Sequence, residues 1–380
     1  MRIAILTDVY KICGVSREIY QISEYCRKNK IQLKIFMQKP KRRIKVIKKI
    51  NSDENVKVIE IKAKNSLEIY PDIFISFDPN IMKTLNEEFE KTKFDLIILP
   101  TIGLFGLRGL KISKKFKVPV ILIYNTQLHD YWSLYLKKVI KTDIFDDISR
   151  KIVWNIMKHF FENSSLILVK NKYIKDELSK EIEKPIVVFP SGIDTKEFSP
   201  KFRKKHKKIR LIYVGRLAEE KNLDFLVNIL NNEILPKYKN IEIWIVGDGP
   251  KKKYMKKKLK AKYTGFLTGR KLSEVFSSGD IFLFPSKTET FGSVVLEAMA
   301  SGLPVVAFDS IGPKQIINNG ETGFLCVSEE EFIERTKFLI ENPDIRKKIG
   351  MAAFEEAKKY DWEKIIEKVI IEIKNILNLN

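Results

Sequence analysis

Residues 281–308 read IFLFPSKTETFGSVVLEAMASGLPVVAF. The stretch opens on a short run that is apolar at every position, 281–285. A polar loop follows, then an apolar helical pattern from 292 to 300, then a second all-apolar run at 305–308. Strands that are apolar throughout are buried on both faces, as in parallel sheets covered by helices. The same strand–turn–helix grammar extends upstream and downstream. Strands are expected at 210–214, 242–246 and 324–327, with helices at 222–231, 251–261 and 271–277. An earlier series repeats it, with strands at 3–7, 33–37, 56–61, 96–100, 118–124, 166–169 and 186–189. Its helical patterns fall at 17–28, 104–116 and 148–161. Two doubly wound α/β domains follow. The boundary is the Pro-, Gly- and Lys-bearing segment at about 189–208, which sets domains of 1–190 and 191–361. The tail from 362 to 380 carries an amphipathic helix that either closes the second domain or packs back on the first.

The chain has 380 residues, enough for two or three domains. Hydrophobic residues make up 44%, which excludes a disordered chain. Cys13, Cys26 and Cys326 are scattered, and the three His form no metal-ligand spacing with them. A reducing, cytoplasmic setting without a protein-held metal is therefore expected. MRIAILTDVY at the start reads as a buried strand rather than a signal peptide. Uncharged runs are too short for the ~20 apolar residues of a spanning helix. The net charge is +22. Part of it is clustered, in KPKRRIKVIKK from Lys39 to Lys49, in KFRKKHKKIR from Lys201 to Arg210, and in KKKYMKKKLKAK from Lys251 to Lys262. Such a surplus fits a Lys-rich background or a phosphate-bearing partner: nucleic acid, an anionic membrane or phosphorylated small molecules.

Ligands of open α/β sheets bind beyond the carboxyl ends of strands. Gly215 and Arg216 follow one strand, and Lys221 stands five residues after Arg216, so both cations can address one anion. Gly247-Asp248-Gly249-Pro250 is a second strand-end turn. Glu289 lies in the third strand-end loop. The helix expected to start near Gly292 offers backbone N–H groups at Phe291, Gly292 and Ser293. Glu297 stands eight residues after Glu289, so the two carboxylates can accept hydrogen bonds from different hydroxyls of one elongated ligand.

In this order the motifs resemble the family-4 retaining glycosyltransferases of group 1, which have the GT-B fold: two Rossmann-like domains with parallel sheets facing across a cleft. GRLAEEKN at 215–222 resembles the family's phosphate-binding loop, and GDGP at 247–250 its second-domain turn. PSKTETFGSVVLEAMASGLPVVAF at 285–308 resembles its E-x7-E block, and GETGFL at 320–325 the usual end of that block. PSGIDTKEFSP at 190–200 resembles the domain-crossing segment, with Ser191 in the usual Asn position. The first half matches more loosely, through TDVY and GVSREI between Thr7 and Ile19.

The resemblance implies a hexosyltransferase that uses a nucleotide-sugar, either UDP- or GDP-linked, and needs no metal or other cofactor. Arg216 and Lys221 would neutralise the donor diphosphate, with Gly215 and Gly247 shaping the loops. Glu297 would hold the ribose, Glu289 the transferred sugar, and Phe291, Gly292 and Ser293 its oxygens through their N–H groups. Gly14 would let the first domain's backbone approach the diphosphate. No Asp-x-Asp occurs in the sequence, which agrees with metal independence. The reaction would be a front-face transfer with retention. Asn125 stands where many relatives carry a catalytic His, and Pro100-Thr101 where they often have His-Ser.

Asp8, Tyr10 and His129 are the acceptor-side candidates. TDVY and GVS resemble relatives that glycosylate lipids, so the acceptor is expected to be a lipid or a glycan. The Lys39-to-Lys49 run, with Ile44, Val46 and Ile47 interleaved, would then touch an anionic membrane surface peripherally. Two other readings stand beside this one. The first is a GT-B look-alike acting as a sugar epimerase or a non-catalytic partner. The second is a nucleic-acid binder, disfavoured because the basic clusters fall in separate domains and no recognition motif is present.

Overall fold

The computed structural model describes residues 1–8, 14–39, 50–62, 66–70, 73–125, 146–204, 206–289 and 291–379. They divide into two compact units, Met1–Pro190 with Glu363–Asn380, and Ser191–Trp362.

The first unit holds strands β1 (Arg2–Thr7), β2 (Gln32–Lys39), β3 (Val56–Lys62), β4 (Ser66–Tyr70), β5 (Ile73–Ser76), β6 (Leu96–Leu99), β7 (Val120–Tyr124), β8 (Leu166–Val169) and β9 (Ile186–Val188). Its helices are α1 (Gly14–Lys28), α2 (Asn80–Lys91), α3 (Leu104–Phe116), α4 (Asp146–Glu162) and α5 (Lys172–Leu178). Seven strands form a sheet in the order β3-β2-β1-β6-β7-β8-β9, and β4 and β5 form a separate antiparallel pair. Every pairing in the large sheet is parallel. β6 and β7 are buried at every residue, as their uninterrupted apolar sequences require.

The second unit holds β10 (Ile209–Val214), β11 (Ile241–Val246), β12 (Lys262–Gly265), β13 (Ile281–Phe284), β14 (Val305–Phe308) and β15 (Gly323–Cys326). Its helices are α6 (Leu223–Ile229), α7 (Lys252–Lys258), α8 (Gly269–Ser277), α9 (Ser293–Ala300), α10 (Glu329–Glu341) and α11 (Pro343–Ala357). The order β12-β11-β10-β13-β14-β15 is again parallel throughout. Alternate residues of β10 feed opposite cores: Leu211 and Tyr213 pack with Leu226 and Phe332, Ile212 and Val214 with Phe276 and Leu296. Both sheets reverse their strand order once, between β1 and β6 and between β10 and β13. A doubly wound sheet opens a crevice at that reversal.

The strands read from apolar runs all form. The helix read over 251–261 stops at Lys258, because β12 starts at Lys262 and pairs with β11 from Trp244. The strand read from 118 begins at Val120, after Pro119. The final helix, α12 (Trp362–Leu377), buries Ile365, Ile366, Val369 and Ile373. It lies with the first unit, where Glu363 pairs with Lys28 of α1.

Candidate functional site

The strand-end loops of the second unit are tied to one another by their backbones. After β10, Gly215 N–H donates to Val246 O at 3.0 Å and Leu217 N–H to Asp248 O at 3.0 Å. Lys251 N–H then donates to Leu217 O at 2.8 Å. Gly247 has φ +138°, and a Cβ there would lie 1.9 Å from Gly215 O. A Cβ on Gly249, at φ +155°, would lie 2.4 Å from Leu217 O. These two glycines let the turn after β11 lie directly against the loop after β10. Gly247 therefore shapes the loop that follows β10 from behind.

Tyr213, 2% exposed, donates its hydroxyl to Arg216 O at 3.0 Å and so fixes the turn from below. Burial pushes its pKa up and so opposes its ionisation, and the nearby Glu289 and Glu220 charges oppose it further. A short turn over Glu219–Lys221 then presents Lys221, and Asn222 adopts φ +53° before α6 begins.

Lys221 Nζ lies 2.6 Å from Glu289 Oε2, with both side chains mostly buried. Residues 68 positions apart thus meet at one point, because β10 and β13 are neighbours in the sheet. The hydroxyls of Ser286 and Thr288 both face Glu220 O at 3.4 Å. Phe291 is 3% exposed and sets its ring edge-on to Tyr360, with centroids 6.1 Å apart. Gly292 has φ +85°, a left-handed turn that suits glycine, and it caps α9 directly before Ser293. Glu297, on the second turn of α9, is 3% exposed. Arg216, Lys221 and Glu289 thus lie on the two loops that flank the strand reversal, and Glu297 on the helix that follows the second of them.

The first unit closes its rim with charge. Asp8, just after β1, is 3% exposed, and Phe105 N–H at the start of α3 donates to both its carboxylate oxygens at 3.3 Å. A Cβ at Gly103 would lie 2.4 Å from Asp8 Oδ2. Burial pushes the Asp8 carboxyl up to about 7, against the opposing pull of the Phe105 hydrogen bond and the Arg108 charge. Asn125 donates from Nδ2 to Pro100 O at 3.1 Å, tying the end of β7 to the end of β6. Gly14 is the first residue of α1. Tyr10, His129 and residues 40–49 of the basic run lie outside the described residues.

Sequence reasoning missed the pair formed by Lys170 and Glu18, whose side chains are 4% and 3% exposed. The Lys170 amine also sits over the Phe189 ring, 4.7 Å from its centroid. A lysine closing the otherwise apolar LILVK was the available signal. Among the described residues, no cluster of His, Cys, Asp and Glu could hold a metal ion, and no helix is long and apolar enough to cross a membrane.

Two family models match in tandem. The one described as glycosyltransferase family 4 covers residues 12–197, and the one described as glycosyl transferases group 1 covers 194–356. The sulfoquinovosyl transferase SQD2 of Arabidopsis thaliana is 32% identical over 303 residues, 74% of this chain. The matched part spans 57% of that relative's own length. An alpha-monoglucosyldiacylglycerol synthase of Acholeplasma laidlawii is 26% identical over 304 residues, covering 74% of this chain and 75% of its own. HepE of Anabaena, solved with UDP and glucose, superposes with a TM-score of 0.73 at 16% identity, over 98% of this chain and 99% of its own. At that identity the likeness shows the fold, two Rossmann-like units of the GT-B type.

Proposed function

The chain belongs to the family-4, group 1 glycosyltransferases, and from that membership we propose that it moves a hexose from a UDP- or GDP-sugar to an acceptor hydroxyl with retention of configuration. The observation that carries this reading is the 2.6 Å contact between Lys221 and Glu289. A cation suited to a diphosphate and a carboxylate suited to sugar hydroxyls meet at one point, as the junction of a nucleotide-sugar demands.

In this reading Glu297 takes the ribose hydroxyls, and Arg216 and Lys221 hold the diphosphate. Glu289 and the N–H groups of Phe291, Gly292 and Ser293 orient the sugar. The acceptor oxygen attacks the anomeric carbon on the face from which the diphosphate departs. One C–O bond forms as the other breaks, and the acceptor proton passes to the leaving phosphate oxygen. The protein's part is positioning and charge stabilisation, with Arg216 and Lys221 in the place a divalent metal takes elsewhere. Asn125, with no titratable ring, orients rather than moves a proton. The printed name of the Acholeplasma relative supports a lipid acceptor. The cationic run from Lys39 to Lys49 supports peripheral contact with an anionic membrane, at about 1 kcal/mol per Lys or Arg near the surface.

Thermal shifts with UDP, GDP and ADP, without metal and then with Mg²⁺, test the donor site. A nucleotide at about 2 mM that binds with Kd about 0.1 mM adds ~1.8 kcal/mol, a rise of a few degrees. The expected result is a base-selective shift without metal that disappears in Arg216→Ala. No shift with any nucleotide refutes the reading. Interconversion of free nucleotide-sugars without an acceptor replaces it with epimerase activity.

A further inference from the structure

After β14 the chain turns through Asp309, Ser310, Ile311 and Gly312 into a short 3-10 turn at Pro313–Gln315. Gly312 has φ −71° and ψ −64°, values in the right-handed helical region. Its sign of φ does not call for glycine. The space around it does. A Cβ at Gly312 would lie 2.8 Å from Glu289 O, 2.8 Å from Phe291 C and 2.9 Å from Phe291 N. All three are backbone atoms, so no flexible side chain can swing away.

The segment they belong to has little freedom to retreat. The Phe291 ring is buried against Tyr360, and the Tyr360 hydroxyl donates to Gln315 O at 2.9 Å, three residues beyond Gly312. On the far side, the Glu289 carboxylate rests on Lys221. The missing methyl at 312 therefore sets how far the backbones of Glu289 and Phe291 stand from the turn after β14.

We propose that Gly312 is a positioning residue for the sugar half of the donor: it fixes the backbones of Glu289 and Phe291, against which the transferred hexose is fitted, and it leaves the nucleotide half alone. The inference rests on the donor reading above, in which Glu289 serves the sugar, and Arg216 and Glu297 serve the diphosphate and ribose. The three atoms nearest the Gly312 Cβ position belong to Glu289 and Phe291, and none of them to Arg216 or Glu297. An added methyl has to move the segment by roughly half an ångström or more, on a scale where an ångström of misplacement costs about 100-fold. Pro313 adds to the strain, since a helical residue before proline is disfavoured once it carries a Cβ.

The test compares nucleotide with sugar-nucleotide, UDP against UDP-glucose and GDP against GDP-mannose, by isothermal titration. Gly312→Ala is expected to keep nucleotide affinity within about two-fold while losing about 10- to 100-fold for the sugar-nucleotide, the scale of a displaced hydrogen bond to the Glu289 carboxylate. Tyr360→Phe removes only the hydroxyl that ties the ring packed on Phe291 to Gln315 in the turn after Gly312, adds no volume, and should shift the ratio the same way by a smaller factor. Equal losses for both ligands in Gly312→Ala, or unchanged affinities for both, overturn the positioning role. If the wild-type chain binds none of the four ligands, the donor reading itself fails, and the role assigned to Gly312 fails with it. Retained nucleotide binding in the variants also shows that the second unit has folded.

Discussion

The two units share one strand order at their reversals, yet they hold their strand-end rims by different forces. In the second unit the loops after β10, β11, β13 and β14 press backbone against backbone, with Gly247, Gly249 and Gly312 making room for it, and one ion pair, Lys221 with Glu289, crosses them. In the first unit the rim is held by buried ionisable side chains: the Asp8 carboxyl against the start of α3, and Glu18 against Lys170. Backbone contacts do not titrate, whereas a buried carboxylate does. The second unit should therefore keep its geometry across pH and respond sharply to added methyl groups. The first should respond to pH.

The largest effect is expected at the carboxylate that meets the sugar. Glu289→Gln should depress turnover by about 100- to 1,000-fold, the scale of a lost transition-state contact. Nucleotide affinity should stay within about two-fold. Steady-state kinetics beside UDP or GDP titration read both quantities. Equal loss of both would remove Glu289 from the sugar end and break the division of labour between the two carboxylates.

Next comes the cation beside it. Lys221→Ala takes away a charge-assisted contact worth about 1.5–3 kcal/mol, or roughly 10- to 100-fold in nucleotide affinity. The loss should shrink as salt is raised, since the missing interaction is with a diphosphate. A loss confined to sugar-nucleotides, with free UDP or GDP unaffected, would move Lys221 from the diphosphate to the sugar.

The contrast between the units also explains what could be read from the sequence. Residues 281–308 carry strand, loop, helix and strand in one contiguous piece, so the position of Glu289 in a strand-end loop and of Glu297 in the helix after it was legible. So was the loop from Gly215 to Lys221. The spacing of Lys221 to Glu289 was not, because 68 residues separate them and only the β10–β13 neighbourhood joins them. Gly312 escaped notice for the same reason: its crowding comes from residues about 20 positions earlier, and its φ is ordinary. β12 was hidden in KKKYMKKKLKAKYTG, where lysines swamp the alternation of a strand. Asp8 was legible as a polar residue ending β1, but nothing local told that its carboxylate turns in toward α3.

That inward turn makes the pH prediction for the first unit. The Asp8 carboxyl titrates at about 7 in the folded chain, against 3.8 for an ordinary aspartate. Between those values the folded state holds a proton that the unfolded state has released. Raising the pH through that window therefore favours unfolding, and the loss is complete above about 7. Asp8→Asn keeps an acceptor for the Phe105 N–H and has no charge to bury. Thermal unfolding at pH 5, 6, 7 and 8 should show the variant gaining on the wild type as pH rises. A constant difference across the series would remove Asp8 from the pH response and weaken the contrast between the units.

The smallest effect tests the other half of the contrast. Tyr213→Phe removes one buried hydrogen bond, from the tyrosine hydroxyl to Arg216 O. That is worth about 1 kcal/mol, roughly five-fold in nucleotide affinity if the turn carrying Arg216 loosens. The phenol is buried and faces the Glu289 and Glu220 carboxylates, both of which oppose its ionisation. It stays protonated wherever the protein is folded and working. The Tyr213→Phe deficit should then be the same at pH 6 and pH 8, where the Asp8→Asn difference changes. A Tyr213→Phe deficit that varied over that range would mean that a titrating group holds the turn carrying Arg216, and backbone packing would no longer set the second rim apart from the first.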